Sequence, residues 1–174
     1  MDSHRLDPPI DRAPSRAAGL RFGLAGLSLR LAALRQAIER DYPMTLAVDI
    51  ANRDAVDGLP PDLTDTLHAL IEMAAIHAAR DAHAATMRLS LQLKGGLVVL
   101  CISEDGNCLA SSGRHDLAEL AAQEIGPRGL VERVAALGGT MTLESRPGRT
   151  HIDIALPREV MAQSSLADDR TAAA

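Results

Sequence analysis

The chain has 174 residues, 47% of them hydrophobic and 24% charged, which suits one domain with a sizeable core and little left over for a second. A net charge of −5 gives no electrostatic footprint for nucleic acid, and the only two aromatics, Phe22 and Tyr42, supply no platform for stacking single-stranded bases. Cys101 and Cys108 fit no zinc-knuckle spacing and read as one buried and one surface thiol in a reducing cytoplasm.

The first residues are polar and proline-rich, so no secretory signal is expected, and residues 1–14 read as a disordered leader. Ser15 is a plausible N-cap for an amphipathic helix running to about Arg40, with Leu20, Leu24, Leu27, Leu31, Leu34 and Ile38 recurring at three- and four-residue steps. Arg21, Arg30 and Arg35 interrupt its apolar run, which argues against a membrane span and for a cytoplasmic protein. The leucine stripe suits a core or a partner, including a homodimer formed through residues 20–38.

Tyr42-Pro43 stops that helix, and residues 45–50 alternate like a strand. After a polar stretch at 51–58, Leu59-Pro60-Pro61-Asp62 opens a helix expected to reach about Ala84. Strands are expected over 87–93 and 97–103, joined at Lys94-Gly95-Gly96. Residues 104–114 read as a loop, followed by a short helix at 116–124 and a firmer one from about Pro127 to Leu137, closed by Gly138-Gly139. A final hairpin pairs 140–145 with 150–156, and the remainder reads as a flexible tail. The order makes an α+β two-layer sandwich, a mixed sheet with helices on one face. Within it, 15–42 is a linker-like helix, 43–157 the domain proper and 158–174 the tail.

Residues 59–157 resemble the ATP-binding domain of the GHKL superfamily, and within it the sensor histidine kinases of the nitrate-sensor and desaturase-regulator class. The resemblance is carried by GPRGLVERVAALGGTMTLESRPGRTHIDIALP, in which Gly126, Gly129, Leu130, Glu132, Arg133, the Leu137-Gly138-Gly139 run, Ser145, Pro147, Gly148, Thr150 and Leu156-Pro157 fall in place. It implies an ATP or ADP site. Gly126 and Gly129 would let backbone approach a phosphate at a helix N-terminus, with Arg128 adding a charge-assisted contact and Leu130 and Thr150 completing the segment.

The remaining motifs depart from the family. Its helix after Leu-Pro-Pro presents a Glu, as base or water-orienting group, and four residues later an Asn that holds Mg²⁺. Counting from Leu59 and back from Met87 places Met73 and His77 at those positions, and Asp81 where a His is usual. A one-residue slip restores Glu72 but puts Ile76 at the metal position. A thioether is no base and a poor ligand for Mg²⁺, so binding of that ion is doubtful. His77 and Asp81, four apart on one face, could hold a softer metal with an outside ligand. His68 and His83 do not share that face.

The family's adenine-binding Asp-x-Gly-x-Gly is replaced by Glu104-Asp105-Gly106-Asn107-Cys108. Glu104 keeps the acceptor chemistry one methylene further out; Asp105 serves only if the turn shifts. A dimerisation helix with a His-Asp or His-Glu phosphoacceptor is missing, and His4-Arg5 does not match it. Three readings stay open. The chain is a degenerate histidine-kinase-like regulator of two-component signalling, binding nucleotide weakly and docking a kinase or response regulator. Alternatively it is an active kinase of trans-acting or anti-sigma type, or a structural dimerisation module.

Overall fold

The computed structural model describes residues 26–107 and 112–158. Among them run α1 (Leu27–Asp41), β1 (Thr45–Ile50), α2 (Arg53–Asp57), α3 (Pro61–Arg80), β2 (Thr86–Lys94), β3 (Leu97–Glu104), β4 (Gly113–Asp116), α4 (Leu117–Gln123), α5 (Arg128–Ala136), β5 (Thr140–Arg146) and β6 (Arg149–Pro157). The strands form one mixed sheet in the order β1-β2-β3-β6-β5-β4, with β1 parallel to β2 and every other pair antiparallel.

Period-two alternation along the strands sends Leu46, Met87, Leu89, Leu91, Val98, Leu100, Ile102, Met141, Leu143, Ile152, Ile154 and Leu156 to one face, where all are buried. The helices cover that face, so the expected α+β two-layer sandwich is the observed one. Pro61 opens α3 at a position where a missing N–H costs nothing, and Leu63, Leu67, Leu70, Ile71, Ala74, Ala75 and Ala78 form its buried stripe. In its second half Ala74, Ala75 and Ala78 are buried in the common core. No helix among the described residues is long and apolar enough to cross a membrane.

Several expectations are corrected. Helix α1 begins at Leu27, after a non-helical Gly26, so the helix does not run on through Gly26; Ser15, Leu20 and Leu24 lie outside the described residues. Leu27, Leu31, Leu34 and Ile38 are all buried in the same cluster as α3 and the sheet. That half of the stripe is therefore occupied by the chain's own core and cannot also form a homodimer face. It also makes α1 part of the domain core. Arg30 reaches Asp65 on α3 at 2.5 Å, which ties the two helices at their exposed edge.

The polar stretch at 51–58 contains α2, where the Ala55 N–H donates to the side chain of Asn52, the N-cap residue, in the left-handed region at φ 56. α3 stops at Arg80, because Asp81 already takes the cap position and the chain turns at His83, φ 52, towards β2. At the end of the expected loop at 104–114 begins β4, a four-residue edge strand paired to β5 whose polar sequence, Gly-Arg-His-Asp, carries no strand pattern. Cys108 lies outside the described residues.

Candidate functional site

The site sits where three elements end at the same edge of the sheet. β3 finishes at Glu104, β6 begins beside it with Thr150 directly opposite, and the second half of α3 passes over both. His77, Glu104, Thr150, Pro127, Ile102 and Ile152 line one cavity there. Its volume is about 10 Å³, room for about one water.

Glu104 is only 9% exposed and accepts a hydrogen bond at 2.5 Å from the Gly106 N–H. Across the ladder Thr150 is 3% exposed, and its Oγ1 has no partner. A buried hydroxyl left unpaired costs on the order of 1–3 kcal/mol, so the fold carries an unmet donor and acceptor at this point. Gly106 is required by close approach. A Cβ there would lie 2.5 Å from Glu104 Oε2 and 2.6 Å from the Ala82 carbonyl oxygen. The Asn107 N–H donates to that same carbonyl at 2.7 Å, which pins the loop to the end of α3.

Asp105 has a different task. Its Oδ1 accepts from the N–H groups of Ala85 and Thr86, each at 2.8 Å, and its Oδ2 from the Thr86 hydroxyl at 2.7 Å. The Thr86 backbone bond, followed by the bond from its hydroxyl, holds the Asp105 carboxyl below the usual carboxylate range. Asp105 fastens the start of β2 and is turned away from the cavity that Glu104 lines.

On α3 the candidates of the two registers point in different directions. Met73 faces α5: a Cβ on Gly129 would be 3.0 Å from the Met73 Sδ. His77, one turn on, lines the cavity, and its Nδ1 lies 3.0 Å from Asp81 Oδ2. Glu72 instead has a side chain about half exposed (48%) and sits 4.0 Å from His68 Nδ1 on another face of the helix. Burial pushes the His68 imidazole down, and the Glu72 charge opposes it only in part. Of the two residues counted to the base position, Met73 faces α5 and Glu72 faces outward, and His77 lines the cavity.

Gly126 turns the chain at φ 84 into Pro127, and α5 follows with no side-chain cap on its N-terminus. Leu130 is wholly buried and anchors the first turn to the core. Arg128 does not reach the cavity. It points along the outer groove between α4 and α5, held by Glu132 at 2.9 Å and Glu124 at 3.6 Å, and the Glu132 bond above all raises its pKa.

The donor chemistry does not fit Mg²⁺, which asks for several hard oxygens in a near-octahedral set. Met73 offers sulfur, His77 offers nitrogen, and Asp81 is bonded to His77. Among the described residues no three His, Cys, Asp or Glu side chains converge to hold a metal ion. What the cavity does offer is a buried acceptor on Glu104 and an unused hydroxyl on Thr150.

The apolar walls of the cavity, Ile102, Leu143 and Ile152, were legible as strand positions but not as site residues; only the Glu104–Thr150 register brings them there. On the sheet's open face, Cys101 gives its thiol hydrogen bond to Asp153 at 3.0 Å, and burial followed by that carboxylate raises the thiol pKa. It is half-buried, not fully buried as the spacing suggested.

No protein-family model matches the chain, and neither does any curated protein. Solved structures do. The histidine kinase domain of a blue-light activated histidine kinase from Erythrobacter litoralis superposes with a TM-score of 0.54 at 15% identity, covering 78% of this chain and 63% of that one. The histidine kinase AdeS of Acinetobacter baumannii gives 0.52 at 15%, covering 77% and 66%. The ATP binding domain of PrrB from Mycobacterium tuberculosis gives 0.52 at 19%, covering 76% and 93%. The chain therefore spans under two thirds of the Erythrobacter domain and nearly all of the PrrB one. Its fold is the α+β fold that these histidine kinase and ATP binding domains share.

Proposed function

We propose that this chain is a histidine-kinase-like regulator of two-component signalling that binds an adenine nucleotide weakly and acts through protein contacts, not phosphoryl transfer. The observation that carries this reading is Met73 and the His77–Asp81 pair standing where the resemblance calls for a base and a magnesium ligand. Phosphoryl transfer is almost wholly positioning and charge stabilisation around a metal-bound phosphate. A thioether and a carboxylate-bound imidazole supply neither. The closed cavity supports weak binding, because a ligand must first populate an opened form and its apparent affinity falls by that fraction. The partner is then a kinase or response regulator in the cytoplasm, met through the outer surfaces of the domain of residues 43–157 and its packed helix α1.

Calorimetric titration with ADP and a non-hydrolysable ATP analogue, each with and without Mg²⁺, tests this reading. The expected result is weak heat, in the range of hundreds of micromolar or above, that Mg²⁺ does not strengthen. Micromolar binding that needs Mg²⁺, together with labelled phosphate appearing on any partner, overturns it in favour of an active trans-acting kinase.

A further inference from the structure

The two ends of the cleft differ in the charge they tolerate. At one end Glu104 offers buried carboxylate oxygens to an amino group, and Thr150 Oγ1, buried and unpartnered, is free to donate to a ring nitrogen. That donor and acceptor pair matches the edge of an aminopurine. At the other end lies the uncapped N-terminus of the nine-residue α5, where a phosphate chain would be drawn by free N–H groups. What surrounds that terminus repels or ignores an anion. Met73 Sδ rests on the first turn, near Gly129, and a thioether has no proton to donate. His77, which shares the cavity wall with Pro127, the residue before α5, has its ring 3.0 Å from the Asp81 carboxylate. The cation of that turn, Arg128, is turned outward and neutralised by Glu132 and Glu124.

We propose that the cleft takes an adenine nucleoside in preference to the nucleoside triphosphate. The inference rests on the preceding reading of the cleft as an adenine site and narrows its ligand. Glu104 and Thr150 hold the base, while Asp81 and the thioether of Met73 leave a phosphate chain without compensation for the water it gives up.

The test is titration of the full chain with adenosine, ADP and ATP, with and without Mg²⁺, repeated on Thr150→Val and Asp81→Asn. Adenosine is expected to bind at least as tightly as ATP, with a ratio that Mg²⁺ does not change. Thr150→Val is expected to lose tenfold or more in adenosine affinity while its thermal unfolding stays cooperative. Asp81→Asn is expected to strengthen ATP severalfold and leave adenosine unmoved. ATP binding tenfold more tightly than adenosine overturns the preference and leaves the adenine site standing. Failure of all three ligands to bind overturns the adenine reading, and the preference with it. Unchanged adenosine binding in Thr150→Val overturns the assignment of its hydroxyl, and an unchanged ATP ratio in Asp81→Asn overturns the role of that charge.

Discussion

At the Glu104 end of the cleft, the residues facing the cavity also hold the fold together: Glu104 takes the Gly106 N–H, the loop is pinned to Ala82, and Thr150 is a ladder residue of the sheet. At the α5 end, Met73 merely rests on Gly129, and Arg128 and Glu132 bond to each other in solvent. At Glu104 and Gly106 packing and site geometry are set by the same contacts, so a replacement there disturbs both. At the α5 end the contacts are a thioether against a glycine and an ion pair in solvent, which constrain the backbone less.

The sharpest way to break this contrast is at Gly106. Gly106→Ala puts a Cβ at 2.6 Å from the Ala82 carbonyl and 2.5 Å from Glu104 Oε2, so backbone must move and not only a flexible tip. Destabilisation of about 1–3 kcal/mol is expected, the usual range for overpacking. Urea unfolding followed by circular dichroism measures it, and a change below about 0.5 kcal/mol would show that the loop yields freely.

Thr150→Val should act in the opposite direction. The substitution keeps shape and removes a buried hydroxyl that bonds to nothing, so stability should rise by about 1 kcal/mol. The same denaturation measurement checks it. A loss would mean that the hydroxyl is paired in solution, to water held in the small cavity.

Asp105→Ala is expected to cost about 1 kcal/mol or less, because the carboxylate is well exposed and solvent screens it. Its pH dependence is more telling than its size. The folded carboxyl is held below its ordinary range, so the unfolded chain takes up the proton first as pH falls. The stabilisation is fully present above about pH 4, the ordinary aspartate range, and disappears as pH drops through the folded value. Wild type and variant should therefore differ by a constant amount from pH 5 to 8 and converge in acid; a difference that persists unchanged at low pH would sink the assignment.

Much of the architecture was legible because it rests on periodicity. Buried alternation marked β2, β3, β5 and β6, and the Pro-Pro start and leucine steps marked α3. The elements missed have little apolar pattern to show. α2 is five residues closed by an Asn52 cap, and β4 is four polar residues that exist as a strand only because β5 offers a partner. The leucine stripe of α1 was visible, but not what covers it, since amphipathicity is the same for a core face and a partner face. In the site, the bond between His77 and Asp81 needed only their four-residue spacing. The outward turn of Arg128 was hidden because Glu124 and Glu132, at i−4 and i+4, compete for it with any ligand.

Gly129 offers the smallest effect and the finest test of the difference between the two ends. A Cβ there would meet only Met73, at 3.0 Å from Sδ, and a methionine side chain has rotamers to retreat into. Against that contact stands the gain of placing alanine in the second position of a helix, roughly 0.5–1 kcal/mol relative to glycine in helix interiors and less near an end. Gly129→Ala should therefore leave stability within about 0.5 kcal/mol of wild type, with adenosine binding unaltered. If the glycine instead guards a phosphate approach that is in use, the same substitution will leave stability alone and still weaken ATP binding. That outcome would restore function to the α5 end and remove the asymmetry on which the nucleoside preference depends.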